Sequence, residues 1–131
     1  GYFFEIDHLA EMLIAWGFSG NNVWGFIVVL VLFNPLLEEW YWREFMHSRL
    51  MPSLGGTKTV FVTSFFYALY HLLSLIPMFE APFNFIAAIP VFAAGMLWGY
   101  FRLKFSSILP SILSHVLADT GIIFVYLYYF M

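Results

Sequence analysis

The sequence predicts an all-α membrane protein: a bundle of about four transmembrane helices preceded by a short interfacial amphipathic helix. Three observations predict it. Only 10% of the 131 residues are charged and 63% are hydrophobic, whereas a soluble domain carries about 25% charged residues. Four apolar stretches approach the ~20 residues that a bilayer core requires. The five Lys and Arg residues fall in just two parts of the chain, 43–58 and 102–104.

Residues 6–16 read as the amphipathic helix. Ile6, Leu9, Leu13 and Trp16 recur at helical spacing, while Glu5, Asp7, His8 and Glu11 are polar. The segment is too short and too acidic to span a bilayer, so it is expected on the membrane surface. Residues 17–22 form a turn. The first span starts near Val23, but its apolar run ends at Leu37. To reach the required length the helix must continue to about Trp42, which draws Glu38 and Glu39 into the membrane. Trp24 at one end, and Trp40, Tyr41 and Trp42 at the other, suit interfacial anchors. Pro35 removes a backbone donor one turn before the glutamates and predicts a kink. The second span is expected over 59–76, the third over 83–101 and the fourth over 108–129. The third carries Gly95 and Gly99, a small-xxx-small pair suited to close helix contact. The connections at 52–58, 77–82 and 102–107 are short, and the whole of 1–131 reads as one domain.

All five basic residues lie between the first and second spans or between the third and fourth. The positive-inside rule makes that side cytoplasmic and puts both termini outside. The expected location is a bacterial cytoplasmic membrane. Five basic residues cannot form a useful phosphate-binding patch, so no nucleic-acid partner is expected. The absence of Cys excludes disulfides, thiolate nucleophiles and Cys-based metal sites. The chain begins with Gly, as a processed or partial sequence would.

Three polar pairs interrupt the apolar spans, each with its members on one helix face. Glu39 and Arg43 are spaced to pair along the helix, which leaves Glu38, rotated by about 100°, without that counter-ion. Tyr67 and His71 form the second pair, His115 and Asp119 the third. Counted from the basic side at about 1.5 Å per residue, Glu38, His115 and His71 lie roughly 7, 10 and 17 Å deep. Ionisable groups in lipid are costly and normally face a protein interior or a wet cavity. The three pairs are therefore expected to share one site. His8 and His47 fall outside the spans and read as surface residues, and Tyr67 reads first as packing.

These residues resemble the CAAX protease and bacteriocin-processing (Abi) family of glutamate-type intramembrane proteases. That family's Glu-Glu-x-x-x-Arg motif matches residues 38–43. Its Phe-x-x-x-His motif matches residues 67–71, with Tyr67 in place of Phe. Its His-x-x-x-Asn or Asp motif matches residues 115–119. The resemblance implies an intramembrane endopeptidase with Glu38, His71, His115 and Asp119 as catalytic residues and Glu39, Arg43 and Tyr67 in support. Glu38 would activate a water with help from a histidine, and the last motif would stabilise the oxyanion. The prenyl-protein proteases of the family carry Asn in that last motif, so Asp119 could serve the oxyanion only when protonated.

The expected partners are membrane lipids, a peptide or protein substrate at the membrane, and partner membrane subunits. No cofactor or metal is expected. Two alternatives stay open. Glu38, His71, His115 and Asp119 also make a donor set that zinc or iron accepts, giving a metal-dependent membrane hydrolase. A non-catalytic subunit of a larger membrane assembly, in contact with a pigment or other cofactor, is the other.

Overall fold

A computed structural model describes residues 6–130, with side chains from 7–129. It contains helices and, among the described residues, no strand. Helix α1 is Ile6–Ala15. Helices α2 (Gly20–Leu54), α3 (Gly56–Met78), α4 (Phe83–Lys104) and α5 (Leu109–Phe130) follow. Each of α2 to α5 is long and apolar enough to cross a membrane. The chain is thus an all-α integral membrane protein.

Helix α2 runs on past Trp42, the expected end of the first span, to Leu54. Arg43 and His47, one turn apart on the same inward face, are both buried and hold this extension against the bundle. His47 is only 4% exposed, which corrects its reading as a surface residue. The expected loop at 52–58 shrinks to Gly55, whose φ of 75° ends the helix in a conformation open to glycine. The other connections are also shorter at their edges, since α3 continues through Pro77 and α4 reaches Lys104.

Pro35 lies in the first turn of the α-helical stretch Asn34–Glu39, directly after a π-helical stretch, Val29–Phe33. A proline ring presses on the carbonyl one turn back and offers no N–H. A wider turn ahead of it relieves both problems, so α2 stays continuous. A second π-helical stretch, Trp40–Met46, follows. The two glutamates therefore sit between two irregularities of the kind often found at functional sites.

The tightest packing is between α3 and α4, and the small-residue pair makes it. A Cβ at Gly99 would meet Val60 Cγ1 at 2.8 Å, and one at Gly95 would meet Ser64 Cβ at 3.2 Å. The interior is more polar than the exterior. Glu39, Arg43, His47, Thr59, Thr63, Ser64, Ser111 and His115 are buried, while Leu37, Leu73, Ile89, Leu117 and Phe124 are exposed. Lipid rewards this inverted pattern, because a polar group facing hydrocarbon would have nothing to bond. Three of the buried hydroxyls bond nearby carbonyls: Thr63 donates to Thr59 O at 2.8 Å, Ser64 to Val60 O at 2.6 Å and Ser111 to Trp98 O at 2.9 Å.

Helix α1 keeps Leu9 buried, and the turn after it is tied to α5. Phe18 meets Tyr126 edge-on at 6.1 Å, and the Tyr126 hydroxyl donates to Phe18 O at 3.5 Å. The side chains of Glu5 and Ile6, read above as part of the amphipathic pattern, lie outside the described residues.

Candidate active site

Helices α2, α3 and α5 bring the three polar pairs together. Glu38 is the hub. Its Oε2 accepts a hydrogen bond from the Tyr67 hydroxyl at 3.0 Å, and lies 3.8 Å from His71 Nε2 and 3.7 Å from His115 Nε2. Its Oε1 accepts from Asn34 Nδ2 at 3.1 Å, one turn earlier on α2. Asp119 Oδ2 lies 3.7 Å from the same His115 Nε2.

Glu39 meets the same His115 ring at its other nitrogen. Arg43 Nη1 lies 3.2 Å from Glu39 Oε1, the partner expected from their spacing. That pair is no exposed helix-end bridge, since Arg43 is 1% and Glu39 0% exposed. The same Oε1 lies 2.9 Å from His115 Nδ1. Arg43 Nη2 donates to Gly95 O at 3.1 Å, and the guanidinium lies 4.5 Å from the Tyr67 ring centroid and 5.3 Å from that of Trp98. A glycine at 95 is what lets the guanidinium approach, because a Cβ there would lie 3.2 Å from Nη2.

The hydrogen bonds assign the histidine tautomers. His71 Nδ1 lies 3.0 Å from the carbonyl of Tyr67, which can only accept, so Nδ1 carries the proton. His115 Nδ1 likewise donates to Glu39 Oε1, the oxygen that also faces Arg43 Nη1. When neutral, both rings then present an unprotonated Nε2 toward Glu38 Oε2. The gaps of 3.7 and 3.8 Å are too long for direct hydrogen bonds and leave room for a bridging or reacting atom.

Trp98, which the sequence reading did not single out, completes the frame. Its indole stacks on His115 at 4.0 Å and 14°, and its Nε1 donates to Ser114 Oγ at 3.1 Å. Its place inside the Gly95–Gly99 pair was the available signal. Asn34 was also passed over, although it stands one turn before Glu38. Beside the cluster, Ile122 and Ile123, one turn beyond Asp119, line an apolar cavity of about 730 Å³ with Leu30, Met78 and Leu13. Among the described residues, no group of three or more His, Asp or Glu is arranged to hold a metal ion.

A family model described as type II CAAX prenyl endopeptidase Rce1-like matches residues 20–121, a stretch that contains all three polar pairs. No curated protein and no solved structure gives a match. With its glutamate pair and both histidines inside the matched region, the chain belongs to the Rce1-like family of type II CAAX prenyl endopeptidases.

Proposed function

We propose that this chain is an intramembrane endopeptidase in which Glu38 is the general base. The observation that carries the reading is the approach of two Nε2 atoms, from different helices, to within 3.8 Å of one Glu38 oxygen. A water between Glu38 Oε2 and either histidine is within hydrogen-bond reach of both. Glu38 takes one proton from that water as its oxygen bonds the peptide carbonyl carbon, and the π pair moves to the carbonyl oxygen. When the C–N bond breaks, the proton passes from Glu38 through a histidine Nε2 to the leaving amine.

The other residues support this passage. Glu39 and Arg43 hold His115 in one tautomer, as an outer partner does for many reactive histidines. Asp119, close to Nε2, stabilises the imidazolium while the proton is in transit. The apolar cavity beyond Asp119 suits a hydrophobic part of the substrate, such as a prenyl group, next to the scissile bond. We place the basic segments 43–58 and 102–107 on the cytoplasmic side, α1 on the opposite surface, and the whole chain in one membrane-embedded unit.

The test is cleavage of reporter peptides, prenylated and unprenylated at a CAAX-type cysteine, by the purified protein in lipid vesicles. The parent should cleave, and Glu38→Gln should lose about 100-fold to 10,000-fold of the rate, the typical share of general-base catalysis. A Glu38→Gln variant as fast as the parent would overturn the assignment of the base. A folded parent that cleaves neither peptide would leave the non-catalytic subunit as the reading.

A further inference from the structure

Tyr67 is 2% exposed, and its ring is clamped. The Arg43 guanidinium covers one side at 4.5 Å, with Trp98 and Trp42 edge-on at 5.9 and 6.0 Å. A ring held in this way fixes the position of its oxygen and leaves the O–H torsion free. That oxygen lies 3.0 Å from Glu38 Oε2 and 3.5 Å from His115 Nε2, at the centre of the cluster.

Most other donors around the site are engaged elsewhere. Arg43 Nη2 is committed to Gly95 O, and the Nδ1 protons of His71 and His115 to Tyr67 O and Glu39. Trp98 Nε1 is bonded to Ser114, and Thr120 to Val116 O. Asn34 donates to Oε1 of Glu38, not to the oxygen that the histidines approach. A phenol keeps its proton at neutral pH, whereas an ionised carboxylate has none to offer. Asp119 in its ionised form therefore cannot serve an oxyanion.

We propose that the Tyr67 hydroxyl is the oxyanion donor of this site, bonded to Glu38 at rest and to the substrate's carbonyl oxygen in the tetrahedral intermediate. The proposal rests on the peptidase reading above and names a catalytic group within it. The exchange follows the charge. As Glu38 takes the water proton it loses its negative charge, and its hold on the phenol weakens. The carbonyl oxygen gains the π pair in the same step and becomes the stronger acceptor. Tyr67 transfers no proton; it only redirects one hydrogen bond. When the C–N bond breaks the charge leaves the oxygen, the Glu38 proton passes through a histidine Nε2 to the amine, and the phenol swings back. Such a donor lowers the barrier because its bond strengthens only in the transition state.

Tyr67→Phe removes one oxygen and keeps the ring against Arg43, Trp98 and Trp42. The expected result, on prenylated reporter peptide in vesicles, is a fall in kcat of about a hundredfold or more with KM little changed, the usual cost of one oxyanion donor. Binding of a peptidyl phosphinate, a stable tetrahedral mimic, should weaken by a similar factor, while binding of the uncleaved peptide to the Glu38→Gln form should be insensitive to Tyr67→Phe. Asp119→Asn supplies an amide donor next to His115. Whatever its own rate, adding Tyr67→Phe in that background should cost only about tenfold, since the amide takes over part of the missing bond.

Three outcomes overturn the proposal. In one, Tyr67→Phe retains the parent kcat while Glu38→Gln is inactive, so the peptidase reading stands without a Tyr67 role. In another, Tyr67→Phe loses the same factor in both backgrounds with phosphinate affinity unchanged, and the hydroxyl merely positions Glu38. The last is a folded parent that neither cleaves nor binds the phosphinate, which removes the peptidase reading itself. Thermal melting in detergent reports whether each variant is folded.

Discussion

At Arg43 a positive charge is enclosed inside a membrane helix, held by Glu39, by a carbonyl and by two aromatic faces. Glu39 Oε2 and Arg43 Nε have no hydrogen-bond partner among the protein atoms. A buried ion pair of this kind recovers little net stability, because desolvation offsets the attraction. Its value here is geometric: it fixes Glu39 Oε1 2.9 Å from His115 Nδ1 and supports the Tyr67 ring. Removing one partner is a different matter from removing both. Arg43→Met should destabilise the fold by about 3–5 kcal/mol, since it strands the Glu39 carboxylate in the interior. Glu39→Gln combined with Arg43→Met should regain a large part of that loss. Arg43→Lys should not match the parent, because an ammonium lacks the planar fork that reaches Glu39 and Gly95 together. Equilibrium unfolding in mixed micelles measures all three, and equal stability of the single and double variants would contradict this account.

At the scale of the element, α4 carries the sharpest constraint. Val60 is β-branched and stiff at χ1, so it cannot yield to a methyl group placed 2.8 Å from its Cγ1. Gly99→Ala should therefore cost about 1–3 kcal/mol, the usual penalty for overpacking. Val60→Ala on α3 should restore much of it, because the second change opens the space that the first fills. A melt showing Gly99→Ala as stable as the parent would mean that α3 and α4 are further apart. The same face holds Gly95 and Trp98, so a shift of α4 would also move the ring stacked on His115. The spacing of the bundle and the geometry of the site are thus coupled through one helix surface.

At the scale of the molecule, the charge distribution predicts an orientation. Arg49 and Lys58 lie near the junction of α2 and α3, with Arg43 further back along α2 inside the bundle, and Arg102 and Lys104 lie in the last turn of α4. Glu44 and Arg102 join the two groups through an ion pair of 3.2 Å. The other connection, residues 79–82, contains Glu80 and no basic residue. A cysteine introduced at Ser53 or Ser106 should be labelled by a membrane-impermeant maleimide only after inside-out vesicles are made or the cytoplasmic side is opened. One introduced at Ala81 should be labelled in intact cells. The reverse pattern would invert the topology and place the site toward the other leaflet.

Much of this architecture is legible in the residue pattern alone. Scarce charge and long apolar runs specify a membrane bundle, because no soluble surface can be built from such residues. Spacings of four place Glu39 with Arg43, Tyr67 with His71 and His115 with Asp119 on shared faces, because a helix repeats every ~3.6 residues. Those relations lie within single helices, where local geometry decides. Which residues meet across helices is set by the rotation and depth of each one, and these depend on packing. Tertiary structure alone brings Glu39 to His115, turns the Tyr67 hydroxyl onto Glu38 and stacks Trp98 on the imidazole. It also buries His47, which by sequence stands beyond the apolar run but lies on the inward face of a helix that continues to Leu54. The length of α2 was hidden because residues 43–54 are too polar to suggest a span. They stay helical because Arg43 and His47 find a protein interior rather than lipid.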